Sequence, residues 1–298
     1  MLQILGPLPR PAASASPPVP VPAPAAVMAW NGRIAEPEPA LLEPSRVFPL
    51  AALPRIAADG RLPREIYHRP APLTGTKPRI ALVLAGVGLS AADSRSAIDL
   101  LPGAVTLAFS AYTPNPEALM EAARSRGHEV LASLPMEANG YPLNDAGPRS
   151  LLTGAAPAVN RENLEWALSR LQGYVGVTGA SDGLRGERFA AQSSSFDLIL
   201  DEVARRGLLY IDPRPGAPLP RIAGRSVDLV VDDPSTRAEI EGKLAALERV
   251  AREHGSALGL AGPLRPVTVQ RIAAWARDIE GRGFELVPVS ALITEPPK

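Results

Sequence analysis

From residue 77 onward the chain alternates two patterns, short unbroken apolar runs and longer stretches whose apolar residues recur every three or four positions. The first is the pattern of strands buried on both faces and the second that of helices with one buried face. Their alternation predicts parallel βα units. Residues 79–85 (RIALVLA) predict the first strand. Ser90 then supplies an N-cap to a helix that buries Ala97, Ile98 and Leu101 and is stopped by Pro102-Gly103. Residues 105–112 predict a second strand, 116–126 a helix with Gly127 just past its end, and 128–136 a third strand. The same reading predicts helices from Asn160, at 196–206, from Ser235 and at 267–280. It predicts strands at 174–178, 208–212, 227–231, 257–260 and 285–289.

About seven or eight such cycles in a row favour a closed or nearly closed (β/α) barrel, because right-handed crossovers lay each new strand beside the last. A doubly wound open sheet is the runner-up. In either architecture ligands belong at the carboxyl ends of the strands. The first 76 residues differ. Half of the chain's 34 prolines fall within the first 78 residues, and Pro17-Pro18-Val19-Pro20-Val21-Pro22-Ala23-Pro24 removes donors and fixes φ. Residues 1–76 therefore predict a disordered, Pro-rich tail or linker, and 77–298 one folded domain. Within the tail, residues 46–58 are apolar enough to lie against the domain, and Trp30 is a candidate anchor.

Charge narrows the partners. The 31 basic and 31 acidic residues cancel and are mixed along the chain, so there is no single-sign field for a polyanion, and nucleic acid is not expected. With no cysteine there is no disulfide scaffold, thiolate metal site or cysteine nucleophile. No apolar run is long enough to span a bilayer. The opening Met1-Leu2-Gln3-Ile4-Leu5-Gly6 is not a clear signal peptide. It reads either as a plain start or as the stub of a longer leader.

The ends of the predicted strands carry the carboxylates Glu137, Asp182, Asp212, Asp232 and Asp233, and no histidine. The three histidines are elsewhere: His68 in the tail, His128 at a helix-to-strand turn and His254 in a last helical turn, where it complements the helix dipole. Asp212 before Pro213 and Asp232 near Ser235 have turn and cap roles open to them as well as chemistry. Gly86-Val87-Gly88 lacks the third glycine of a dinucleotide fingerprint, since Ala91 stands where it is needed.

Seven segments together are more specific: RIALVLAGVGLS (79–90), LPGAVTLAFSAY (101–112), GHEVLASLPME (127–137), GPRSLLTG (147–154), GYVGV (173–177), RGLLYIDPR (206–214) and ELVPVSAL (285–292). In order and spacing they resemble the divergent polysaccharide deacetylase family. The resemblance implies a distorted, NodB-like (β/α) barrel and a carbohydrate substrate. It also implies a divalent metal that activates water to hydrolyse an acetyl group.

On the same resemblance, the paired aspartates of the family's first strand fall on Ala85 and Gly86, its first histidine on Ala180 and its late histidine on Pro263. No metal cofactor is therefore expected. The remaining candidates are Glu137 and Asp212 as an acid and base pair, and His128, Asp145, Asp182 and Arg214 along a substrate groove. The leading expectation is a member that binds a glycan or an envelope partner without hydrolysing it. The alternatives are a carbohydrate hydrolase working through groove carboxylates and a protein-binding module. The resemblance places the chain in the periplasm or cell envelope, with the cytoplasm as the alternative.

Overall fold

The computed structural model describes residues 32–71 and 75–295. The proline run, the first six residues and Trp30 lie outside them. After a short hairpin of β1 (Leu42–Pro44) and β2 (Ala52–Pro54) and a single turn α1 (Pro63–Ile66), the chain enters β3 (Arg79–Val87). It continues through α2 (Ala91–Leu100), β4 (Thr106–Ser110), α3 (Glu117–Ser125), β5 (Val130–Ser133), α4 (Pro157–Ser169) and β6 (Gly176–Thr178). Next come α5 (Glu187–Ala190), α6 (Ser193–Arg205), β7 (Leu209–Asp212), β8 (Gly224–Ser226) and β9 (Leu229–Val230). The last elements are α7 (Arg237–His254), β10 (Ser256–Ala261), α8 (Pro266–Arg277) and β11 (Glu285–Leu286).

Local signals set most of these ends. The Ser90 hydroxyl accepts from Asp93 N–H at the start of α2, and Gly127 takes a φ of +74° just past α3, where a Cβ would be strained. Two signals act differently from expectation. Asn160 does not cap α4, which begins at Pro157. Its amide instead exchanges hydrogen bonds with both backbone groups of Leu152 and so ties the preceding loop to the helix. The cap of α7 is Thr236 rather than Ser235.

A nine-stranded sheet runs in the order β8-β7-β6-β5-β4-β3-β10-β9, with β11 paired to the start of β3, and every pairing is parallel. Its two ends are consecutive in sequence. Val227 N–H donates to Asp212 O at one edge, and Asp228 N–H donates to Leu258 O at the other. The predicted strand 227–231 is thus a seam where the chain steps from one end of the curled sheet to the other. That arrangement is a distorted barrel and not the open doubly wound sheet.

Alternate residues of each strand face opposite sides. Ala81, Val83, Ala85, Ala108, Leu131, Leu209, Ile211, Leu258 and Leu260 form the inner cluster, while Ile80, Leu82, Leu84, Leu107 and Phe109 pack outward on Ile98, Leu168, Leu247 and Ile272 of the helices.

The segment expected to be a free tail is part of this core. Ile34, Leu41, Ala57 and Tyr67 are buried, and they join the inner cluster beside Val287, Val289 and Leu292. The Tyr67 hydroxyl accepts from Glu38 N–H at 2.9 Å. The Glu129 carboxylate, fully buried just ahead of β5, accepts from Arg69 N–H at 2.8 Å, from Ser290 N–H at 3.2 Å and from the Ser290 hydroxyl. Arg206, buried at the end of α6, clamps the hairpin through Pro54 O at 2.8 Å and Glu43 at 2.9 Å. The described part of the expected tail, residues 32–71, therefore closes the end of the barrel opposite the strand tips. A propensity argument misses this, because the segment has apolar residues but no period, and its order depends on burying them against the barrel.

Candidate functional site

At the carboxyl ends of the strands, Ala85 ends the inner face of β3 and meets Ala180, Leu260 and Gly262 around a depression of only about 10 Å³. That is room for roughly one water molecule. Gly262, rather than its neighbour Pro263, packs on Ala85: a Cβ on Gly262 would stand 3.1 Å from that of Ala85. Pro263 stands beside them, its Cα 3.6 Å from where a Cβ on Gly86 would be.

Gly86 has a φ of +81°, and a Cβ there would sit 3.0 Å from Leu264 N, so an aspartate at this position would be strained. None of the side chains at Ala85, Gly86, Ala180, Gly262 or Pro263 offers a donor to a metal ion. Among the described residues no three of His, Cys, Asp or Glu gather at metal-binding spacing, so Glu137, Asp182 and Asp212 do not converge. The residues present do not fit a hydrolytic metal.

Asp182 does reach the mouth. Its Oδ1 lies 3.5 Å from where a Cβ on Gly86 would be, and it has no ion-pair or hydrogen-bond partner among the described residues. The other candidates are committed elsewhere.

Glu137, only 3 % exposed, bonds Arg188 Nε at 2.9 Å and accepts from Thr153 N–H at 2.5 Å and from its hydroxyl at 2.7 Å. One oxygen closes the long loop that follows it, and the other ties that loop's start to α5 through Arg188. Asp212 is two residues beyond Tyr210, whose ring packs edge-on against Phe196 of α6, so Asp212 shares the helix-facing side of β7. It holds Arg214 through both carboxylate oxygens, at 2.9 and 2.6 Å, and that hydrogen-bonded carboxylate raises the arginine's pKa. An acid and base pair of Glu137 and Asp212 would have to break these bonds first.

Of the other expected groove residues, one is sealed in the core and one is bonded within its own loop. His128 is fully buried, with ring nitrogens 2.8 Å from Val105 O and 3.2 Å from Ile98 O, and burial lowers its pKa. It seals α2 against the start of β4, at the end of the barrel opposite the mouth. Asp145 folds its own loop, accepting from Gly147 N–H at 2.9 Å.

Asp232, which sequence reading left between turn and chemistry, is a buried clasp. Its oxygens accept from Gly262 N–H at 3.0 Å and from the Thr268 hydroxyl at 3.1 Å. Desolvation is the largest influence on it and raises its pKa above the ordinary 3.8. Below that value both folded and unfolded chains hold the proton and burial is not penalised. As pH rises through the folded value the native state loses stability relative to the unfolded chain. Asp232→Asn keeps the shape and removes the ionisation. Its stability relative to the parent should therefore improve as pH rises above the ordinary 3.8 and level off once the folded carboxyl has ionised, as read in urea titrations, and parallel pH profiles would show that Asp232 carries no such penalty.

The model of the divergent polysaccharide deacetylases matches residues 82–293, which contain every strand of the barrel except the first three residues of β3. The chain belongs to that family. An uncharacterized protein of Haemophilus influenzae is 23 % identical over 210 residues, covering 67 % of this chain and 72 % of the relative. The crystal structure of the uncharacterized protein ATU2773 from Agrobacterium tumefaciens C58 superposes at a TM-score of 0.75 with 36 % identity, over 82 % of this chain and all of that one. The catalytic domain of peptidoglycan N-acetylglucosamine deacetylase from Eubacterium rectale gives a TM-score of 0.48 at 11 % identity, over 76 % of this chain and 94 % of that domain.

Proposed function

We propose that this divergent polysaccharide deacetylase acts by binding and does not perform metal-dependent deacetylation. The observation that supports this reading is the apolar contact of Ala85, Ala180 and Gly262, with about 10 Å³ between them, at the strand tips. Zinc that activates water is held by several nitrogen and oxygen donors around one open position, whereas the described residues at these strand tips offer the Asp182 carboxylate without imidazoles to join it. The ligand class we assign is a carbohydrate or another component of the cell envelope. It follows the family, whose members are typically extracytoplasmic, and the cytoplasm is the competing compartment. No helix among the described residues is long and apolar enough to cross a membrane.

Hydrolysis by Glu137 and Asp212 is the competing chemistry. Both carboxylates are held by an arginine, and Asp212 faces the helices.

The test joins three measurements on the purified chain: elemental analysis after incubation with zinc and cobalt, acetate release from acetylated oligosaccharides, and a glycan array. Substoichiometric metal, no acetate and saturable glycan binding are expected. Stoichiometric metal with acetate release would overturn the proposal at the strand tips, and a blank array would remove its carbohydrate ligand.

A further inference from the structure

A large cavity among the described residues lies away from the strand tips. About 840 Å³ in volume, it lies on the flank of the barrel, between the β1–β2 hairpin and helices α4 and α6. Leu53, Leu164 and Ile199 give it an apolar floor, and Leu198 stands on its wall 48 % exposed. Val47 and Val159, next in sequence to lining residues, are exposed by 45 % and 48 %. Apolar surface that stays open beside a concavity is a mark of an interaction site. The walls are fixed: Arg206 clamps Pro54 and Glu43, and Glu165 accepts from the Ser45 hydroxyl at 2.6 Å, so the hairpin is bolted to both helices.

Charge says what the cavity suits. Its carboxylates are engaged: Glu43 and Glu202 with Arg206, Asp201 with Arg221 at 2.8 Å, and Glu165 with Ser45 and the Arg46 and Val47 N–H groups. Three of its guanidinium groups are not. Arg46 and Arg161 have no side-chain partner among the described residues, and Arg55 donates only to Ala40 O. Open apolar surface interleaved with unpaired arginine is the composition of a protein-docking core.

We propose that this groove docks a segment of a partner protein in which acidic side chains alternate with apolar ones. The chain's own first 31 residues are a poor occupant, since they contain no aspartate or glutamate. The inference stands apart from whatever happens at the strand tips.

A displayed library of random dodecapeptides, selected against the full chain, tests it. Enriched peptides should carry acidic and apolar residues together. Their affinity should fall at least tenfold on Arg46→Glu with Arg161→Glu, and again on Leu198→Ser. These side chains are exposed, so unchanged melting curves are expected to confirm folding. Affinity should also weaken with salt. Peptides without acidic residues, or peptides indifferent to the substitutions, would overturn the proposal. So would self-association in sedimentation that the same substitutions abolish, which would make a second copy the occupant. Capture of anionic phosphatidylglycerol vesicles, lost in the variants, would assign the groove to a lipid surface instead.

Discussion

Replacing Tyr67 with alanine should cost about 3–5 kcal/mol of folding stability, the range for deleting a large buried aromatic ring. Tyr67 is 2 % exposed, lies in the inner cluster with Leu41, Val289 and Leu292, and takes the Glu38 N–H on its hydroxyl. Removing it opens a cavity at the base of the barrel and leaves that amide without its acceptor. The measurement is a urea unfolding curve, read with limited proteolysis of the hairpin. A loss below about 1 kcal/mol is what an exposed position gives. That result would return the segment to the role of a dispensable tail.

The barrel was legible from residue 77 onward because its signals are local. The run at 79–85 cannot be hidden from water except between two layers. Ser90, Gly127 and Pro102-Gly103 act within one turn of themselves. What was not legible depended on distance. The hairpin is held by Arg206, more than 150 positions away from Pro54, and nothing in the order Leu53, Pro54, Arg55 announces that partner. The seam at 227–231 has the same character. Its residues read as an ordinary strand, and only the curled sheet reveals that adjacent residues pair with opposite ends.

At the strand tips the sequence shows which donors are missing but not what the remaining side chains touch. The absence of donors at Ala85, Gly86 and Ala180 was visible from the resemblance. The sequence left the strand-end carboxylates Asp212 and Asp232 open between turn and chemistry, and in the fold Asp212, Asp232 and Glu137 each bind a donor. A buried carboxylate without one would be costly, so the fold supplies partners wherever it can. His128 was placed in a groove by its motif, although a ring between two carbonyls of neighbouring elements is sealed from substrate. The flank cavity had no sequence signal, since its arginines lie on segments far apart in the chain.

Glu137 decides between clasp and catalyst, and two substitutions separate the roles. Glu137→Ala should lower stability by about 2–3 kcal/mol, because the Thr153 N–H and hydroxyl lose their acceptor in a partly buried site. Arg188 is 54 % exposed, so the lost ion pair adds at most about 1 kcal/mol. Glu137→Gln retains an oxygen for Thr153 and gives up only the charge, so its unfolding curve should lie close to the parent. A general acid would be distinguished by turnover rather than by unfolding. The glutamine variant would then unfold like the parent and lose turnover on any oligosaccharide the parent cleaves, since an amide cannot donate the proton that hydrolysis requires. Parent turnover that disappears in Glu137→Gln would make the carboxylate catalytic and the loop contacts secondary. A stability loss confined to alanine, with no parent turnover to lose, leaves Glu137 as the latch that carries the chain from β5 into the loop ahead of α4.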